Sequence, residues 1–171
     1  MLWRGRLLGL TGRAADAVEV ITSGIAAWRS TGATQYLQVW LSYLAAARAQ
    51  LGQFDEAWRC IAEAMRAIEA TKEKYFQAET NRIAGEIALK SPQPDAVKAE
   101  AYFRHALVIA RQQQAKSWEL RAAISLARLW RSQGKVQQAR ELLASVYGWF
   151  TEGFDTRDLK EAKALLEELA L

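Results

Sequence analysis

The stretches "GQFDEA" (52–57) and "GKVQQA" (134–139) decide the fold of this chain. The same arrangement occurs as "GRAADA" (12–17) and, with proline in place of the glycine, as "PDAVKA" (94–99). The alanines that end these stretches are 40, 42 and 40 residues apart, at Ala17, Ala57, Ala99 and Ala139. Self-similarity at such a period indicates stacked structural repeats. The chain is therefore predicted to be a short array of repeats.

Each motif is predicted to join two helices. A glycine such as Gly52 or Gly134 accepts the left-handed backbone conformation that closes a helix. The alanine then places a small side chain where two helices touch, and larger apolar residues follow one turn later. Amphipathic segments at 37–52, 78–90 and 120–134 precede the motifs and supply the first helix of each pair. Because one pair cannot bury its apolar faces alone, neighbouring pairs must stack.

This helix–turn–helix pattern resembles that of the tetratricopeptide-repeat (TPR) family, whose signature is W-x2-L-G-x2-Y, then A-x3-F and a proline. The resemblance covers the whole chain, with departures: the period exceeds the usual length of about 34 residues, and the late proline is missing. Leu41, Asn81 or Ala123 stands at the tryptophan position, while Trp130 takes the place of an aromatic packing residue. The resemblance implies an all-α, right-handed TPR-like α-solenoid.

We expect about four repeats, at approximately 1–33, 34–74, 75–115 and 116–154, followed by a C-terminal capping helix at 155–171. Gly153 suits the end of the last repeat's second helix, and Asp155 or Thr156 is placed to cap the next helix. The first repeat is truncated, since Met1 falls inside its first helix. We therefore expect the chain to be the C-terminal fragment of a longer protein, the alternative being a natural start in a short helix.

Two segments, "RQQQAKSWELRAA" (111–123) and "YGWFTEGFDT" (147–156), carry a more specific resemblance. They are similar to the C-terminal TPR region of bacterial multidomain signalling proteins with adenylate/guanylate cyclase and P-loop ATPase domains. The resemblance implies a non-catalytic protein-interaction and regulatory scaffold. A cytoplasmic setting is the default expectation from the sequence itself, because one cysteine excludes an internal disulfide. Two alternatives remain open: an effector-sensing TPR module of an ATPase-linked transcriptional regulator, and a free-standing TPR scaffold.

No catalytic site, metal site or cofactor is predicted. The sequence has no G-x-x-x-x-G-K-[ST] phosphate-binding motif, so any cyclase or ATPase activity would reside upstream of Met1. The single histidine, His105, lacks a ligand-type neighbour one turn away, and the single cysteine, Cys60, is expected to be a small apolar packing residue. No run of residues is long and apolar enough for a membrane span.

The formal net charge of +4 is concentrated in a basic band between Lys98 and Arg140. Such a band can indicate nucleic-acid binding, but solvated helix faces are the commoner cause, and nucleic acid is not the expected partner.

The candidate binding surface is the concave groove that first helices line in a superhelix. Helical phase places eight side chains there: Ser42, Gln50, Glu79, Arg82, Glu86, Arg121, Arg128 and Arg131. The last three form an arginine stripe, whose guanidinium groups can bind carboxylates or phosphates through bidentate hydrogen bonds. The expected partner is a protein or peptide, acidic in character, or the parent chain's own ATPase and cyclase domains. Alternatively, Glu79 and Glu86 pair with neighbouring arginines, and the stripe is only solvated surface.

Overall fold

The computed structural model describes residues 1–170, which form nine α-helices. In chain order these are α1 Leu2–Leu10, α2 Ala14–Ser30, α3 Leu37–Gln50, α4 Phe54–Thr71, α5 Gln77–Lys90, α6 Ala96–Gln112, α7 Lys116–Ser132, α8 Val136–Tyr147 and α9 Arg157–Glu168. Helices α1 to α8 pack as four consecutive pairs, and each pair stacks on the next. The described residues therefore form the predicted all-α, TPR-like solenoid, with α9 as a further helix at its C-terminal end.

The helices lie in two layers. The first helices of the pairs, α1, α3, α5 and α7, contact one another in sequence, and α9 extends this row by packing on α7. The second helices, α2, α4, α6 and α8, lie farther apart and meet through long side chains, as in the ion pair of Arg29 on α2 with Glu63 on α4 and the contact of Trp58 on α4 with Tyr102 on α6. The row of first helices is therefore a continuous inner wall, and this wall carries the candidate site.

The paired helices approach closely because a small residue on the first helix faces a large one on the second. A methyl group at Gly85 of α5 would lie 2.4 Å from Cε1 of Phe103 of α6. At the same place in α1, a methyl group at Gly5 would lie 2.5 Å from Cγ1 of Ile21. The corresponding residues of α3 and α7, one repeat before and one repeat after Gly85, are the buried Ala45 and Ala127.

The turn between the two helices of a pair is formed by a left-handed glycine, as the repeat motif predicts, or by a capping side chain. Gly52 and Gly134 both have a φ of +76°, the left-handed region that glycine adopts without steric cost. In the third pair, the Asp95 side chain caps α6 by accepting a hydrogen bond of 2.8 Å from the backbone N–H of Lys98. The repeat alanines all have no exposed surface; they are Ala17, Ala57, Ala99 and Ala139.

The apolar core comprises two large clusters, one formed by α1 to α5 and the other by α5 to α9. Trp130 is buried in the second cluster together with Phe103 and Leu143. Each cluster draws on several pairs, so the burial of each pair depends on its neighbours.

The connection to α9 differs from the sequence-based expectation. Helix α8 ends at Tyr147, before Gly153, which has a φ of +75° and lies in the connecting segment. Gly148 occupies the C-cap of α8 with right-handed helical backbone angles, φ −64° and ψ −11°. Phe154 then folds back on Tyr147, with 5.8 Å between ring centroids. The face of α9 that packs on the last pair is apolar: Leu159, Ala162 and Leu165.

The close approach predicts opposite effects for one substitution at two glycines. Gly85→Ala should lower the free energy of unfolding by about 1–3 kcal/mol, because the new methyl group overlaps the Phe103 ring. Gly9→Ala in α1 should be neutral or stabilising by up to about 1 kcal/mol, because its methyl group would lie 3.7 Å from Cβ of Ala17. Urea denaturation measures both. Equal stability of the two variants would contradict the assigned packing.

Candidate functional site

A concave groove of about 490 Å³ runs along the inner wall, across α1, α3, α5, α7 and the start of α9. Its volume lies in the range of ligand-binding sites in proteins. The charged residues of its lining are Arg6, Arg82, Glu86, Lys90, Arg121, Arg128, Arg157, Asp158 and Glu161. Six are cationic and three are carboxylates, so the lining has three more positive than negative formal charges.

Of the eight side chains that helical phase assigns to the groove, five line it: Gln50, Arg82, Glu86, Arg121 and Arg128. They come from α3, α5 and α7, whose inner faces meet along the groove. The structure therefore brings together residues separated by almost 80 positions in the sequence.

The other three side chains do not lie on the groove surface, and their assignment there is corrected. Ser42 is fully buried between α3 and α5, where its hydroxyl donates to the Gln38 carbonyl at 2.7 Å and lies 2.9 Å from Oγ1 of Thr80. Glu79 is likewise buried. Arg131 is exposed but pairs with Glu168 of α9, away from the groove lining. Neighbouring first helices pack directly on one another, which covers inward positions that face the adjacent helix.

Glu79 is the buried ionic link between α5 and α7. Its carboxylate accepts hydrogen bonds from Nε and a terminal nitrogen of Arg82, at 2.8 and 2.9 Å, and pairs with Arg121 of α7 at 2.8 Å. Burial alone would lower the pKa of Arg82, but the adjacent Glu79 carboxylate outweighs it and raises that pKa. The Glu79 carboxylate thus pairs with the guanidinium groups of both Arg82 and Arg121, and Arg82 keeps its positive charge.

A second polar contact between α5 and α7 lies beside this link. The Ser125 hydroxyl of α7 donates to the Glu86 carboxylate at 2.8 Å. Arg82 reaches both groups, with one terminal nitrogen 3.3 Å from each. Glu86 is therefore held by its neighbours, and only part of its side chain is open to the groove.

Helix α9 supplies acidic partners for the arginine stripe. Arg128 pairs with Glu161 at 2.7 Å, Arg131 pairs with Glu168, and Asp158 lies 3.8 Å from Arg121. The stripe is thus paired, as the alternative interpretation of the sequence proposed, but α9 supplies most of the carboxylates. These pairs are partly exposed and contribute little stability individually, yet they neutralise the stripe.

Three other cations of the lining form no ion pair within the described residues: Arg6, Lys90 and Arg157. The Arg6 guanidinium lies instead over aromatic rings, 4.8 Å from the Tyr43 centroid and 5.6 Å from that of Trp3. Helical phase assigned none of these three cations to the groove. The repeat register could have identified Arg6, because it lies two repeat periods, or 80 residues, before the groove residue Glu86 and so occupies the equivalent position in α1.

His105 and Cys60 lie outside the groove. Nδ1 of His105 is 3.2 Å from the Asn81 side-chain oxygen, and burial raises the pKa of the Cys60 thiol. Residues 1–170 contain no group of His, Cys, Asp and Glu side chains arranged to hold a metal ion. A search of the same residues finds no helix with the length and apolar character that crossing a membrane requires.

Solved structures of TPR-like repeats are similar to this chain. One contains nearly identical TPR-like repeats described as those of a kinesin light chain from Podosopora anserina; its TM-score is 0.69 at 19% sequence identity, over 98% of this chain and 82% of that chain. A variant of the same repeats gives 0.66 and 19%, over 99% and 91% of the two chains. At this identity the likeness shows the fold alone. No family profile and no curated protein sequence matches the chain.

The buried link predicts that Glu79 contributes far more to stability than a partly exposed carboxylate. Glu79→Gln should lower the free energy of unfolding by about 3 kcal/mol, because it leaves the buried Arg82 charge without its main partner. Glu161→Gln, which breaks the more exposed pair with Arg128, should cost less than about 1 kcal/mol. Urea denaturation at neutral pH compares the two. Similar losses would show that Glu79 is not a buried link.

Proposed function

We propose that this chain is a non-catalytic protein-interaction module whose concave groove binds an acidic segment of a partner protein. The TPR-like solenoid supports an interaction scaffold in general. The observation that carries the acidic partner is the set of groove cations without a carboxylate, Arg6, Lys90 and Arg157. Cations in a concave, partly enclosed surface raise the local concentration of anionic groups and orient them.

The positions of these cations also indicate where the partner binds. Arg6 and Lys90 lie on α1 and the end of α5, whereas Arg128 on α7 already has Glu161 of α9 as its partner. An acidic segment gains most where it does not displace an existing carboxylate. We therefore place its charged groups towards α1 and α5, with Arg157 as the contact from α9.

The wider context is a further part of the proposal. The resemblance of 111–123 and 147–156 to bacterial cyclase–ATPase–TPR proteins supports a role as the C-terminal regulatory region of such a protein. The acidic partner would then be a surface of the parent's own ATPase or cyclase domain, and binding would shift the populations of its active and inactive states. Sequencing the coding region upstream of Met1 tests this: cyclase and P-loop ATPase domains in frame are expected, and an in-frame stop codon directly upstream would contradict it.

Charge reversal tests the groove with a fluorescein-labelled hexaglutamate peptide as the probe. Lys90→Glu combined with Arg157→Glu should weaken binding in about 0.1 M salt by about tenfold, because two unpaired groove cations become anions. The control combines Lys74→Glu with Arg140→Glu, which are exposed, lie outside the groove and change the net charge equally.

Fluorescence anisotropy gives the dissociation constant of each variant. The control should stay within about twofold of the unmodified chain, since the Debye length near 0.1 M salt is only about 10 Å. If both double variants weaken binding equally, the peptide is responding to net charge alone, and the proposed groove function is wrong.

A further inference from the structure

Helix α9 lines one end of the concave groove with carboxylates. The groove lining has three carboxylates, and two of them, Asp158 and Glu161, come from the first two turns of α9. The third, Glu86 on α5, is engaged by the Ser125 hydroxyl and by Arg82. The carboxylates of α9 are therefore the ones that an anionic partner meets beside α7.

Each of these two carboxylates faces an arginine of α7. An oxygen of Glu161 lies 2.7 Å from a terminal nitrogen of Arg128. An oxygen of Asp158 lies 3.8 Å from Nε of Arg121. Both arginines belong to the groove lining, so the carboxylates of α9 stand where those of a bound acidic segment would pair.

The backbone of α9 is fixed while these side chains remain partly open. Leu159, Ala162 and Leu165 of α9 are buried in the core cluster that includes residues of α7 and α8, so moving the helix aside would expose apolar surface. The side chains of Asp158 and Glu161 are 39% and 28% exposed. The two carboxylates can therefore compete with a partner while the helix stays docked.

Arg128 is the α7 cation of the lining whose pairing depends on α9 alone. Arg121 keeps the buried Glu79 as a second partner at 2.8 Å. Among residues 1–170, Arg128 pairs only with Glu161, and 51% of its side chain is exposed. Neutralising Glu161 therefore frees one accessible guanidinium group in the groove.

The carboxylates of α9 also oppose an acidic segment by repulsion. A segment that reaches Arg128 must displace Glu161, and the displaced carboxylate stays in the same concave surface as a like charge. Juxtaposed like charges are strongly unfavourable and exclude the wrong partner or the wrong position. Arg6 and Lys90, towards α1 and the end of α5, carry no such penalty because neither has a carboxylate partner.

We infer that Asp158 and Glu161 are specificity-determining residues of the groove. They occupy its α7 end as the carboxylates of a partner would, confine an acidic segment to the end formed by α1 and α5, and lower its affinity. Because it concerns the same site and the same class of partner, this role of α9 rests on the proposed function.

Asp158→Asn combined with Glu161→Gln tests this role in the full 171-residue chain, with the labelled hexaglutamate peptide in about 0.1 M salt. Binding should become about tenfold tighter, because Arg128 becomes available and two like charges leave the groove. The matched control combines Glu152→Gln with Glu167→Gln, which are exposed, lie outside the groove and change the net charge equally. The control should stay within about twofold of the unmodified chain.

Two further variants identify the contact that produces the gain. Adding Arg128→Gln to the double variant should remove most of the gain, because Arg128 is the cation that α9 releases. Glu161→Gln alone leaves the first turn of α9 unchanged and should retain a gain of about threefold. Thermal unfolding checks that every variant is folded, and fluorescence anisotropy gives each dissociation constant.

Two results would overturn the role of α9 and leave the proposed function intact, provided that Lys90→Glu with Arg157→Glu still weakens binding. One is a gain no larger than that of the control, and the other is a gain that survives Arg128→Gln. Failure of every variant to bind hexaglutamate would overturn the role of α9 and the proposed function together.

Discussion

The close approach of the two helices in each pair sets the spacing of the whole solenoid. Phe103 lies against the backbone of α5 only because Gly85 has no side chain, and Ile21 lies against Gly5 in the same way. This contact holds each second helix on its first helix, and the first helices then stack directly on one another. The inner wall, and with it the concave groove, is a consequence of that packing.

The charges of the groove divide into two groups with different roles. The buried Glu79 holds Arg82 and Arg121, and α9 supplies Glu161 to Arg128, so these cations bind the structure together. Helix α9 occupies the place of a further first helix but presents carboxylates to α7. Other groove cations have no such partner, and the proposed function depends on them.

The sequence predicted the helix pairs and their turns because the repeat period and residues such as Gly52 and Gly134 report local backbone requirements. It predicted the groove only partly. Helical phase identifies the inward side of one helix, but not which inward positions the next helix covers, so Ser42 and Glu79 appeared to be surface residues. The carboxylates that α9 offers to the arginine stripe were missed for a related reason: the position of α9 relative to α7 is a tertiary property.

The most direct test of the two roles assigned to the groove cations, structural and partner-binding, is NMR observation of the arginine Nε–Hε groups while hexaglutamate is added to the full chain. The account predicts that the signals of Arg6 and Arg157 shift, since they line the groove without a carboxylate partner. The signals of Arg82 and Arg121 should stay in place, because Glu79 holds both side chains. Shifts of Arg82 and Arg121 with no change at Arg6 and Arg157 would contradict the account.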